Sequence, residues 1–252
     1  MKNLTFLALA LFLSSNIFAQ KGIEITAGFT PGISFILNDE DFAEGDDLNI
    51  QPTFGYQAGL TLGYNFSERI GLATGIGLAK LGQNYTTDYD GWAEDDQIKY
   101  DRKISYIRVP VLLRVGGDPT APSSAFFRVG PHFDFLSSAI GTNHGSANNP
   151  SDNSINFRDI NKSLFGNETA EIYNSFVLGL TLEVGGKLRI SDQMGILLLF
   201  HLETSLFNPE GEDAATHASF PTSGTFLSPE RGTAWNTMAG LNVSFQYTLS
   251  FD

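Results

Sequence analysis

Two histidine–carboxylate pairs stand at i, i+2 spacing in this chain: His132 with Asp134, and His201 with Glu203. In an extended strand that spacing puts both side chains on one face. Such pairs can do acid–base chemistry. A hydrolase or acyltransferase would also need an oriented nucleophile. The nearest hydroxyls are Ser137, Ser138 and Ser205, and no G-x-S-x-G turn accompanies them. Two residue types without a positioned nucleophile do not define a catalytic site. No catalytic residue is therefore assigned, and the chain is read as no enzyme.

More charges fall on the same alternate rows. Arg108, Arg114, Arg128, Glu183 and Lys187 share the strand face of their neighbours His132, Asp134, His201 and Glu203. Buried charges persist only when paired and hydrogen-bonded. Together these nine residues predict a salt-bridge and hydrogen-bond network inside a narrow barrel, where side chains fill the lumen. A gated pore or proton path is the functional alternative. No metal or cofactor site is assigned. The acidic runs Asp39 to Asp47 and Asp88 to Asp96 lack the calcium-loop spacing, and Asp88-Tyr89-Asp90-Gly91 is only a fragment of it. They are read as solvated loops, with Ca²⁺ binding left open. His144 and His217 lack metal-ligand spacing.

The elements that must position these residues are strands. Between Thr53 and Leu81, Phe54, Tyr56, Ala58, Leu60, Leu62 and Tyr64 alternate with glycine and polar residues. After the turn Ser67-Glu68-Arg69, Ile70, Leu72, Ile76 and Leu78 alternate with Gly71, Ala73, Gly75, Gly77 and Ala79. A period of two broken by a tight turn predicts a β-hairpin. One face is aliphatic and aromatic; the other is small and uncharged, unlike the Lys, Glu and Thr of a water-facing sheet. That contrast predicts lipid on one side and a crowded interior on the other. Gly59, Gly63, Gly71, Gly75 and Gly77 then leave room for long Arg, His and Glu side chains.

Further alternating runs start near Ile23, Ile98, Phe126, Tyr173, Gly195 and Ala234. Pro31-Gly32 predicts a bend or bulge in the first. The connections alternate long and short, as in an up-and-down transmembrane barrel with both termini in the periplasm. The long ones are Asn38 to Gln51, Thr87 to Gln97, Ile140 to Ile172 and Asn208 to Thr233. The fold class expected is all-β: a closed, antiparallel, up-and-down transmembrane β-barrel of eight strands, or ten if the longest loop adds a pair. Tyr64, Phe66, Tyr85, Trp92, Tyr173, Phe207, Trp235 and Phe251 are candidates for aromatic girdles.

Residues 1–19 read as a secretory signal peptide, with Lys2, an apolar run Leu4 to Leu13, and Ala19 before the cut. Residues 20–252 form one barrel domain. The absence of cysteine excludes disulfides and a lipobox. A net charge of −13 argues against nucleic acid.

The run Ile104-Ser105-Tyr106-Ile107-Arg108-Val109-Pro110-Val111-Leu112-Leu113-Arg114 resembles the Y-x-x-x-P-x-L-x-(basic) strand of PorT-like outer-membrane β-barrel proteins. The signal ending, the Gly-rich second and third strands and the last strand, Ala239 to Phe251, resemble that family too. The resemblance covers essentially the whole mature chain. It implies an eight-stranded barrel in a Gram-negative outer membrane, and in the namesake branch a link to type IX secretion. It supplies no catalytic residues. Here Phe251 is penultimate, whereas outer-membrane barrels commonly end on the aromatic.

The function expected is a small monomeric barrel, its interior plugged by side chains and its long acidic loops outside, in a structural or binding role or as a secretion accessory. The alternatives are a lipid-modifying enzyme at the barrel rim and a narrow pore. The partners expected are outer-membrane lipid and lipopolysaccharide and, through the loops, secretion-machinery or extracellular proteins.

Overall fold

Alternation along the chain becomes, among the described residues of the computed structural model, eight long strands. These are β1 (Gly22–Asn38), β3 (Thr53–Asn65), β4 (Ile70–Asp88), β5 (Gln97–Gly116), β6 (Ser123–Ser146), β8 (Phe176–Arg189), β9 (Met194–Ser205) and β10 (Ala234–Ser250). Two short strands, β2 (Leu48–Gln51) and β7 (Pro150–Asn156), pair with β4 and β6. A short helix, α1 (Asp39–Ala43), follows β1. The structure describes residues 22–43, 48–67, 69–88, 97–117, 121–146, 150–156, 172–211, 214 and 232–250. The signal segment, Trp92, Phe251 and most of the acidic runs lie outside these residues.

Each long strand pairs antiparallel with its sequence neighbour in the ring, and β1 pairs with β10 to close it. Closure leaves no edge among the eight, which lipid requires because it cannot satisfy a free backbone group. The apolar rows face outward: Phe54 is 65% exposed, Leu60 58% and Ile76 59%. Along β5 the outward row Ile107 to Val115 rises roughly 20 Å, at about 3.3 Å per residue and a tilt of about 40°. Among the described residues no helix is long and apolar enough to cross a membrane.

Several expectations are corrected. The register is the same on both sides of Pro31-Gly32, with Phe29 opposite Val243 and Gly32 opposite Gly240, so no residue bulges there. The register shifts lie elsewhere, one of them at Ser105/Tyr106, where β6 carries an extra residue at Ser137. Loop Ile140 to Ile172 is shorter than expected, because β6 continues to Ser146 and β7 pairs back onto it. Gly145, near the end of β6, has φ 65°, the left-handed conformation that glycine adopts without steric cost. Loop Asn38 to Gln51 contains α1 and β2. Its Asp41 is buried and accepts a hydrogen bond from the Tyr85 hydroxyl at 3.1 Å, so it is not solvated. Tyr85 and Tyr173 are buried within the barrel and belong to no girdle; Tyr64, Phe66 and Phe207 are exposed on the outside.

Above the membrane rows the strand pattern inverts. On β4 and β5, Leu78 and Ile107 face out while Gly77 and Arg108 face in. A few residues further, Lys80, Lys103 and Ser105 face out, and Leu81, Ile104 and Tyr106 are buried inside. The β4–β5 register does not change across this point. What changes is the outward face, apolar as lipid requires below and polar as water favours above. The upper interior is an apolar core of Ile36, Leu81, Ile104, Tyr106, Val177 and Met238, with Ile172 and Tyr173 from the segment before β8.

Candidate functional site

Register explains why the interior charges meet. Arg108 on β5 lies directly opposite Asp134 on β6. Arg128, Glu183 and His201 form one cross-strand row over β6, β8 and β9. Directly opposed residues on one face are within side-chain reach.

Arg108 grips Asp134 with both prongs of its guanidinium: Nε donates to Oδ1 at 2.7 Å and Nη2 to Oδ2 at 2.6 Å. Nη1 donates to Gln57 Oε1 at 2.8 Å and also reaches Glu203 Oε2 across the lumen. Glu203 Oε2 lies 2.8 Å from His201 Nε2, and His201 Nδ1 lies 3.0 Å from Glu183 Oε1. Glu183 Oε2 forms an ion pair with Arg128 Nε at 2.5 Å. His132 Nδ1 sits 2.8 Å from the Thr181 hydroxyl, and its Nε2 is 3.6 Å from Asp134. Seven of the nine sequence-derived residues thus join in one buried cluster.

The other two lie nearer the short-turn end. Arg114 pairs with Glu24 at 3.3 Å, contacts Asn65, and stacks its guanidinium 4.7 Å from the Phe126 ring centroid. Gln246 donates to Glu24 at 2.7 Å. Lys187 is buried but makes no ion pair among the described residues. An apolar group of Phe126, Leu197 and Leu199 packs beside these residues, and the Phe126 ring lies against both Arg114 and Arg128. A cavity of about 40 Å³ remains in the lumen, bordered by Arg108, Arg128, Thr30, Gln57, Thr181 and Asn242 among others.

A second buried cluster caps the long-loop end. Arg102 donates to the Tyr173 hydroxyl at 2.7 Å, to the Tyr85 hydroxyl at 3.1 Å and to Glu210 at 2.6 Å. Asn38 Nδ2 donates to the other Glu210 oxygen at 3.1 Å. Asn174 ties the two inward-folded segments together, donating to the Asn208 and Glu210 carbonyls at 2.8 and 2.9 Å. Glu24, Gln57, Asn65, Arg102, Thr181 and Glu210 were not foreseen. Arg102 had a signal, since it shares the strand parity of Arg108 and Arg114. Glu210 had none, because it arrives from a loop.

The serines near the histidines do not complete a catalytic arrangement. Ser137 and Ser138 lie at the bulge, and Ser205 accepts a hydrogen bond from the Asn236 amide. Among the described residues no three His, Asp or Glu side chains converge as metal ligands.

A ring of lipid-facing strands around a buried polar lumen has a counterpart among protein families. The family model described as "Outer membrane protein beta-barrel domain" matches residues 18–209. The chain belongs to that family. Membership places this barrel in the bacterial outer membrane. A search of curated proteins found no match. Among solved structures, the chain is similar to Neisserial surface protein A (NspA), with 8% identity, TM-score 0.40, and 89% of this chain and 96% of that one covered. It is similar to a major outer membrane protein from Thermus thermophilus, with 12% identity, TM-score 0.41 and coverages of 92% and 100%. For OprG from Pseudomonas aeruginosa the values are 14%, 0.36, 93% and 98%. Nothing about function passes to this barrel from likenesses with scores that low.

Proposed function

We propose that this outer-membrane barrel is plugged by its own side chains and has a structural or binding role, exercised through its long-loop end. The observation that carries this is the filling of the interior by two charged clusters and two apolar ones, with a cavity of about 40 Å³ beside Arg108 and Arg128. That volume is enough for a few waters and too small for a solute. The PorT-like pattern around Pro110 extends this reading to an accessory of secretion.

Planar-bilayer recording of the purified protein tests the plug. The expected result is no steady opening; steady large conductance would establish a pore instead. Deletion in the host tests the secretion role: exported cargo should accumulate in the periplasm. Unchanged secretion with altered surface binding would leave the binding role alone.

A further inference from the structure

The inversion point on β4 and β5 carries a patch that the interior network does not use. Lys80 faces outward directly above Leu78, and its cross-strand partners are Tyr56 on β3 and Ser105 on β5. Lys103 lies one pleat higher on β5, and its side chain is 45% exposed. Ser138 on β6 stands opposite Ser105, above the exposed Phe135 and Ile107. Two ammonium groups, two hydroxyls and a tyrosine thus sit at the upper edge of the lipid-facing rows.

The placement is unusual for this chain. It has 15 Lys and Arg against 28 Asp and Glu. Arg102, Arg108, Arg114, Arg128 and Lys187 are buried inside. Lys80 and Lys103 are outward cations at the upper edge of the apolar rows, with the exposed Ile140 directly opposite Lys103 on β6. That level is where lipid headgroups lie. Lys103 has one acidic neighbour, Asp101, at 3.5 Å on the side away from the membrane. Asp101 is itself engaged by His144 at 3.1 Å.

We propose that Lys80 and Lys103 form a docking site for the phosphate of an anionic glycolipid of the outer leaflet. The acyl chains would lie along Leu78, Ile107 and Phe135, and Ser105 and Ser138 would donate to the same headgroup. The proposal rests on the long-loop end facing outward, as in the reading above, but not on the lumen being plugged.

The test uses the full-length protein in nanodiscs containing phosphorylated lipid A or its dephosphorylated form. Lipid retained after detergent extraction is counted by native mass spectrometry. Each lysine near a charged headgroup contributes about fivefold in affinity, so K80Q/K103Q should retain about 25-fold less phosphorylated lipid A. Lys99→Gln, beyond Asp101, should retain the wild-type amount. Heat-modifiable migration verifies that each variant is folded. Equal retention by folded K80Q/K103Q, or equal retention of the dephosphorylated lipid by the wild type, overturns the site. Neither outcome bears on conductance, so the plug stands or falls separately.

Discussion

Arg108 shows how a single buried cation can hold several strands. Its guanidinium joins β5 to Asp134 on β6, Gln57 on β3 and Glu203 on β9. Removing it would leave Asp134 buried with only His132 at 3.6 Å, and Glu203 with only His201. Arg108→Met should therefore cost about 3–5 kcal/mol, read as a lower urea midpoint for unfolding from lipid vesicles. Arg108→Lys should recover little of this, because an ammonium cannot reproduce the two-pronged contact. Stability within measurement error of the wild type would show that the network contributes little.

His144 belongs to the part of β6 above the membrane rows. Hydrogen bonding to Asp101, and then to Asp152 on β7, raises its pKa above the ordinary 6.5. Lys103, against Asp101, is the other charge facing it. The stabilisation is therefore fully present below pH 6.5 and is lost as pH rises through the raised value. Amide exchange over β7 should be slower at about pH 5.5 than at about pH 8.5, after correction for intrinsic exchange. His144→Gln should abolish that difference, and a wild-type profile in the variant would remove His144 as its source.

At the level of elements, the β3–β4 hairpin tests the face assignment. Sequence reading takes the interior glycines as space for long side chains. For Gly63 that fits, since a Cβ there would meet Glu24 atoms at ordinary contact distance. At Gly75 the reason is different: a Cβ would press into the Leu60 carbonyl oxygen of the adjacent strand. At Gly77 it would lie 2.7 Å from the Ala58 carbonyl oxygen. Gly75→Ala should thus impair folding more than Leu72→Ala, which only trims a side chain facing lipid. The yield of heat-modifiable barrel on refolding measures this, and the reverse order would mean that the faces are exchanged.

At the scale of the molecule, charged and apolar clusters together fill the interior. The Arg102–Glu210 cap holds the segments flanking β8 and β9 inside the mouth. Glu210→Gln should speed amide exchange at residues 172–175 and 207–211 while conductance stays low, because the lower layers still fill the lumen. A conducting variant would mean that the cap alone closes the barrel.

The strands, their faces and the polar lumen were legible because a period of two is local: each residue's face follows from its neighbours' positions. Arg108, Arg128, Asp134 and Glu183 could be placed inward on that basis alone. Their partners could not, since pairing depends on register, and register is a relation between strands distant in sequence. Tyr85 and Tyr173 were misplaced for the same reason: a strand-end aromatic packs inside or outside according to what the opposite wall supplies. Sequence by itself determined a lipid-facing barrel with a charged interior. Only the tertiary structure decided which charges meet, that loop residue Glu210 turns inward to join Arg102, and where the interior changes from polar to apolar.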